Sequence, residues 1–131
     1  MTDIINTFGD RFKILSGVDD LALESLIMGA DGWVAGLVDA FPRETVVIYE
    51  LAKAGRIEEA REIYRWFFPL LHLDVSTKFV QNIKLAEAAT GLGSEFVREP
   101  RLPLVGEERQ HVLSIIEEGI RTRPDLTKYG Y

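Results

Sequence analysis

The chain has 131 residues, 47% of them hydrophobic, and a formal net charge of −6, a length that suits one modest domain with a buried core. Acids and bases are interleaved without a basic stripe, which argues against nucleic acid or an anionic membrane surface as a partner. There is no cysteine, hence no disulfide, thiolate nucleophile or thiolate metal site, and neither a basic leader nor an apolar run of about 18 residues occurs, so a soluble cytoplasmic protein is expected.

Ile4, Ile5 and Phe8 lie on one side of a short helix that Gly9 can stop. FKILS, residues 12–16, has the residues of a buried strand and ends at Gly17. Asp19 or Asp20 can then cap a helix over 20–28, with Leu23, Leu26 and Ile27 as its apolar side and Gly29 as its stop. GWVAGLV, 32–38, is a second apolar strand. Strand, helix and strand joined by short links make the βαβ pattern of a parallel sheet.

Beyond Asp39 the period is helical. Pro42 stands in the first turn of a helix that Gly55 ends. RIEEAREIYRWFFPLLHL presents Ile57, Ala60, Ile63, Tyr64, Phe67 and Leu71 as one stripe, with a kink or break expected near Pro69. A further helix begins at Asp74 or Ser76 and stops at Gly91 or Gly93. REPRLPLVG is a loop, and the last helix sets Val112, Ile115 and Ile116 on one side. Four helices therefore follow two strands. A two-stranded parallel sheet cannot cover both faces or satisfy its edges, so the pattern reads as the end of a larger α/β fold.

Several features carry no chemistry. His72 and His111 are 39 residues apart with no acid at ligand spacing, so no metal site is expected. Tyr64, Trp66, Phe67 and Phe68 on an amphipathic helix read as core or helix interface before ligand box. RIEEARE and EEGIRTR are solvated faces with i,i+4 pairs. GLGSE does not follow a strand and is a helix stop, so no nucleotide cofactor is expected.

ILSGVDD, GADGWVAG, AFP, ELAKAGRIEEAREIYRWFFPLL, TKFVQNIKLAEAATGLG and VREPRLPLVGEE resemble, in order and spacing, the carboxyl-terminal part of the dihydrodipicolinate synthase and N-acetylneuraminate lyase family. The resemblance spans nearly the whole chain. It implies the carboxyl-terminal portion of a (β/α)8 TIM barrel, a fold of about 250 residues, followed by a helical tail. FKILSG would be strand seven, GWVAG strand eight, residues 1–55 the last barrel units, and 56–131 the helical extension. The family acts through a lysine Schiff base on pyruvate or a related 2-oxo acid. Its lysine on strand six, its tyrosine on strand five and its Gly-Thr-Thr-Gly segment would all lie upstream of Met1, so no catalytic residue carries over. Lys13 would lie at the far end of the barrel, and Lys78 and Lys84 on a tail helix.

One wall of the substrate pocket does carry over. Barrel sites form at the carboxyl ends of strands, here Ser16–Gly17 and Val34–Ala35–Gly36. Gly17 matches the glycine whose backbone lies close to the oxo acid, though it also suits a tight turn. Val34 matches the apolar position against the Schiff-base adduct. Asp19 and Asp20 match positions that approach the hydroxyls of a sugar acid in the lyase branch. Their plain reading is a helix cap and a first-turn acid, and the expectation divides them, one capping and one facing the pocket. Asp39, where the lysine-pathway branch often has asparagine, and the bulky Trp33 put the dihydrodipicolinate reaction itself in doubt.

Two functions follow. One is the carboxyl-terminal part of a Schiff-base lyase or aldolase, inactive alone and binding a 2-oxo acid only within a complete barrel. The other is a helical oligomerisation module that pairs with a second copy or with a separate amino-terminal half.

Overall fold

Two short parallel strands and six α-helices make up the computed structural model, which describes residues 1–131. In chain order they are α1 (Thr2–Phe8), β1 (Leu15–Ser16), α2 (Ala22–Ile27), β2 (Gly32–Trp33), α3 (Pro42–Lys53), α4 (Ile57–Leu71), α5 (Phe79–Thr90) and α6 (Gly106–Arg121). The strands pair in parallel, Leu15 opposite Gly32 and Ser16 opposite Trp33, with α2 as the crossover. The expected βαβ unit and the four helices after it are present.

The strands are shorter than expected. Pairing reaches one residue further each way, through Asp31 N–H to the Ile14 carbonyl (2.7 Å) and Val34 N–H to the Ser16 carbonyl (2.8 Å). The chain then leaves the sheet, and Leu37–Asp39 is a 3-10 turn instead of the end of a strand to Val38. Side chains alternate across the pair. Ser16 is buried and Trp33 packs on the core, whereas Leu15 and Val34 are 59% and 63% exposed. One face of the sheet is covered by helices and the other is open.

A single core joins α2 and α3 to the helices beyond them, with Phe41, Ile48, Ile63, Phe67, Leu71 and Ile116 fully buried. Phe41 meets Phe67 edge-on at 5.5 Å and Trp66 at 6.0 Å, so the aromatic run of α4 is packing, as expected. Ala60, Ile63, Tyr64, Phe67 and Leu71 of the predicted stripe are all buried. Ile27, assigned to the apolar side of α2, is instead 52% exposed. The helix over 20–28 opens as a 3-10 turn, Asp19–Leu21, before α2 begins.

Pro42 occupies the first turn of α3, and Gly55 takes a φ of 75° after it. Pro69 does not break α4, which continues to Leu71 before tightening into the 3-10 turn His72–Val75. The break comes later because Pro69 lies in the last turn with an exposed ring, where one missing backbone donor costs little. Asp74 therefore lies in a turn, and α5 begins only at Phe79 and ends at Gly91 with a φ of 76°. No helix is long and apolar enough to cross a membrane.

Candidate functional site

The carboxyl ends of β1 and β2 are tied together by one carboxylate. Asp19 is fully buried and accepts from the Trp33 indole Nε1–H (2.9 Å), from Gly36 N–H (3.1 and 3.2 Å to its two oxygens) and from Leu37 N–H (2.9 Å). These bonds pull the chain out of the sheet at Gly36 and set the Leu37–Asp39 turn. The backbone of Asp19 is held as well, its carbonyl lying 3.2 Å from the Tyr64 hydroxyl, which is also 3.3 Å from the Glu24 carboxylate. Burial, and then Glu24, push the Tyr64 phenol well above its usual range, so it stays protonated.

Neither aspartate caps α2, whose first turn has no side-chain cap. That is a correction to the capping role, and its cause is the row of donors offered to Asp19 by the loop after β2. Asp19 is taken up by the fold. Asp20 remains partly open, its side chain 19% exposed, and its oxygen lies 3.6 Å from Nε2 of His72. His72 in turn lies on the Phe68 ring at 4.3 Å. Asp74 comes from the same turn as His72. Burial, followed by the charges of Asp19 and Asp20, pushes its carboxyl up to about 6. Asp74, Tyr64 and His72 thus join the strand ends from about 30 to 60 residues away along the chain, and no local spacing announces them.

The glycines separate into three kinds. Six have positive φ: Gly9, Gly29, Gly55, Gly91, Gly106 and Gly130. Gly32, Gly36, Gly93 and Gly119 are pressed by neighbours, and at Gly36 a Cβ would meet Asp74 Oδ1 and lie 2.9 Å from Ile83 Cδ1. Gly17 alone has neither reason, since a Cβ there would enter open space. It lies one residue past β1 on the same open face as Leu15, with Val34 projecting from the adjoining strand. Beside them, an apolar groove of about 320 Å³ runs between β2 and α3, lined by Leu15, Val34, Ala35, Val38 and Val46 among others.

No lysine stands at this end of the sheet. Lys13 pairs with Asp31 at the opposite end of β1, 3.1 Å away, where the Ile14 N–H also reaches that carboxylate at 2.9 Å. The Ile14 bond first, and then Lys13, hold the Asp31 carboxyl below its usual range. Lys53 reaches the Ala30 carbonyl, Lys78 pairs with Glu108, Lys84 pairs with Glu87, and Lys128 is exposed.

Comparison with known proteins agrees with this architecture. The dihydrodipicolinate synthetase family profile matches residues 1–119. A 4-hydroxy-tetrahydrodipicolinate synthase of Chlorobium phaeovibrioides is 32% identical over 115 residues, 88% of this chain and 38% of that protein. The crystal structure of dihydrodipicolinate synthase from Aquifex aeolicus superposes with a TM-score of 0.78 at 25% identity, covering 98% of this chain and 41% of the other. The 4-hydroxy-tetrahydrodipicolinate synthase of Methylacidiphilum fumariolicum SolV superposes with a TM-score of 0.76 at 31% identity, covering 92% and 41%. The chain thus spans about two-fifths of the length of these relatives, and it belongs to the dihydrodipicolinate synthetase family.

Proposed function

We propose that the chain is the carboxyl-terminal portion of a Schiff-base (class I) lyase or aldolase acting on pyruvate or a related 2-oxo acid, with β1 and β2 as strands seven and eight of a (β/α)8 barrel. Residues 56–131 are then its helical extension. The observation that supports this best is Gly17, a glycine that neither its backbone nor its neighbours in the chain require, on the open face at a strand's carboxyl end. Such a position leaves room for something that approaches from outside this chain, and barrel enzymes bind substrate at that end.

In this reading Gly17, Val34 and Asp20 line the wall, while Asp19 and Gly36 hold it in place. Imine formation needs a desolvated lysine. The five lysines of this chain lie elsewhere, so the chain alone forms no adduct. Incubation with pyruvate and borohydride, followed by intact-mass measurement, is expected to show unmodified protein. A reduced pyruvyl adduct on any of the five lysines would overturn the assignment.

A second reading, a module that pairs with another copy or with an amino-terminal half, is favoured by the open sheet face, where Leu15 and Val34 stay exposed beside two unpaired strand edges. Sedimentation of the purified chain at micromolar concentration is expected to show self-association under this reading. A stable monomer would leave only pairing with a different chain.

A further inference from the structure

We propose that the turn His72–Val75 is a proton-operated latch, closed on the carboxyl ends of the strands when Asp74 is protonated and loosened when Asp74 is ionised. It rests on three carboxylates, Asp19, Asp20 and Asp74, that two packed turns bring together, with one imidazole, His72, beside Asp20. Asp74 is partly buried, sits against Gly36, and faces Asp19 and Asp20 where its turn packs on the Asp19–Leu21 turn. Asp19 has spent its oxygens on Trp33, Gly36 and Leu37. Asp20 has only His72 beside it, a cation only when the imidazole is protonated.

Nothing on the surrounding elements neutralises Asp74. From α5 the facing side chains are neutral: Ile83, and Asn82, which donates to the Leu73 carbonyl and to Ser76 Oγ at 2.9 Å each. The cations of that stretch, Lys78 and Lys84, are engaged by Glu108 and Glu87. From α4 come the Phe68 ring and the Tyr64 hydroxyl, and Asp39 of the Leu37–Asp39 turn is exposed. Ionising Asp74 therefore adds a third negative charge to a partly desolvated cluster.

The sign follows from linkage. The carboxyl of Asp74 titrates near 6 in the folded chain, against 3.8 for an ordinary aspartate, so the closed turn holds the proton more tightly than the open one. The stabilisation of closure is fully present below 3.8 and is lost as the pH rises through about 6. Opening would uncover Asp20 and the side of Gly36 that Asp74 covers.

Hydrogen exchange of residues 72–78 in the full chain, read by mass spectrometry and corrected for intrinsic rates, tests this. The opening equilibrium is expected to rise about tenfold between about pH 5 and about pH 7.5, the factor that linkage gives over that range for a carboxyl titrating at about 6 in the closed turn and at 3.8 in the open one. Asp74→Asn is expected to stay closed and flat across that range, and His72→Gln to keep most of the rise. A flat response in the unsubstituted chain, or one that persists in Asp74→Asn and vanishes in His72→Gln, overturns the latch. A carbon-13 titration of the Asp74 carboxyl in the unsubstituted chain needs no variant: an inflection well above ordinary aspartates supports the latch, and one at 3.8 overturns it.

Discussion

Asp19→Ala is expected to destabilise the chain by about 4 kcal/mol, measured by urea unfolding with the fluorescence of Trp33 as one probe. The side chain is fully buried and supplies every acceptor for the Trp33 indole and for the amides of Gly36 and Leu37. Truncation strands three donors in the interior. Each unsatisfied buried group costs about 1–3 kcal/mol, and the loss of a charge-assisted acceptor falls at the upper end. Asp19→Asn keeps one acceptor oxygen but turns an NH2 group toward backbone donors, so it is expected to recover less than half of the loss. A cost below about 1 kcal/mol for Asp19→Ala would mean that water replaces the carboxylate and that the loop after β2 is held by other means.

Arg123→Ala is expected to cost about 3 kcal/mol, again by urea unfolding. Glu44 is almost wholly buried in the first turn of α3, and Arg123 meets it with a two-pronged contact, Nε to Oε1 at 2.6 Å and Nη2 to Oε2 at 3.0 Å. The guanidinium also lies 5.3 Å from the centre of the Phe41 ring. Removing it leaves a carboxylate in the core without a counter-charge, the costly way to break a buried pair. Because the Arg123 side chain is 38% exposed, water can reach part of the vacated space, which keeps the figure at the low end of the range for such pairs. Arg123→Lys restores charge but not the fork and is expected to return about half. Glu44→Gln together with Arg123→Ala should be milder than Arg123→Ala alone, since no buried charge is then left. If the single and double variants are equally destabilised, the loss comes from packing on Phe41 instead of from the ion pair.

Periodicity carried the helical part of the fold because that part is governed by local rules. The stripe from Ala60 to Leu71 predicts which face of α4 is buried, and Pro42, Gly55 and Gly91 mark helix ends through backbone geometry that only those residues supply without strain. The βαβ order was legible for the same reason. The second strand came out shorter than its apolar run because a carboxylate elsewhere in the chain competes for the amides of Gly36 and Leu37. Asp19 itself shows why the site resisted reading. At the start of a helix an aspartate ordinarily caps, yet its partners here lie 14 to 18 residues onward and its carbonyl partner, Tyr64, lies 45 residues onward. Asp74 in turn looked like a helix start. Its environment is made by Asp19, Asp20 and Gly36, three positions that meet only in the folded chain.

Gly17 bears most directly on the claim that the open face is one wall of a pocket completed from outside this chain. If the glycine serves a ligand and not the fold, Gly17→Ala should leave the isolated chain as stable as before or firmer by about 0.5 kcal/mol, because its backbone is already one that alanine adopts and a methyl group meets no neighbour. The measurement is the urea midpoint of Gly17→Ala against the unsubstituted chain. An unchanged or higher midpoint is the expected result; a loss above about 1 kcal/mol would show that the chain's own fold requires the glycine, and the argument for a pocket wall at Gly17 would fail.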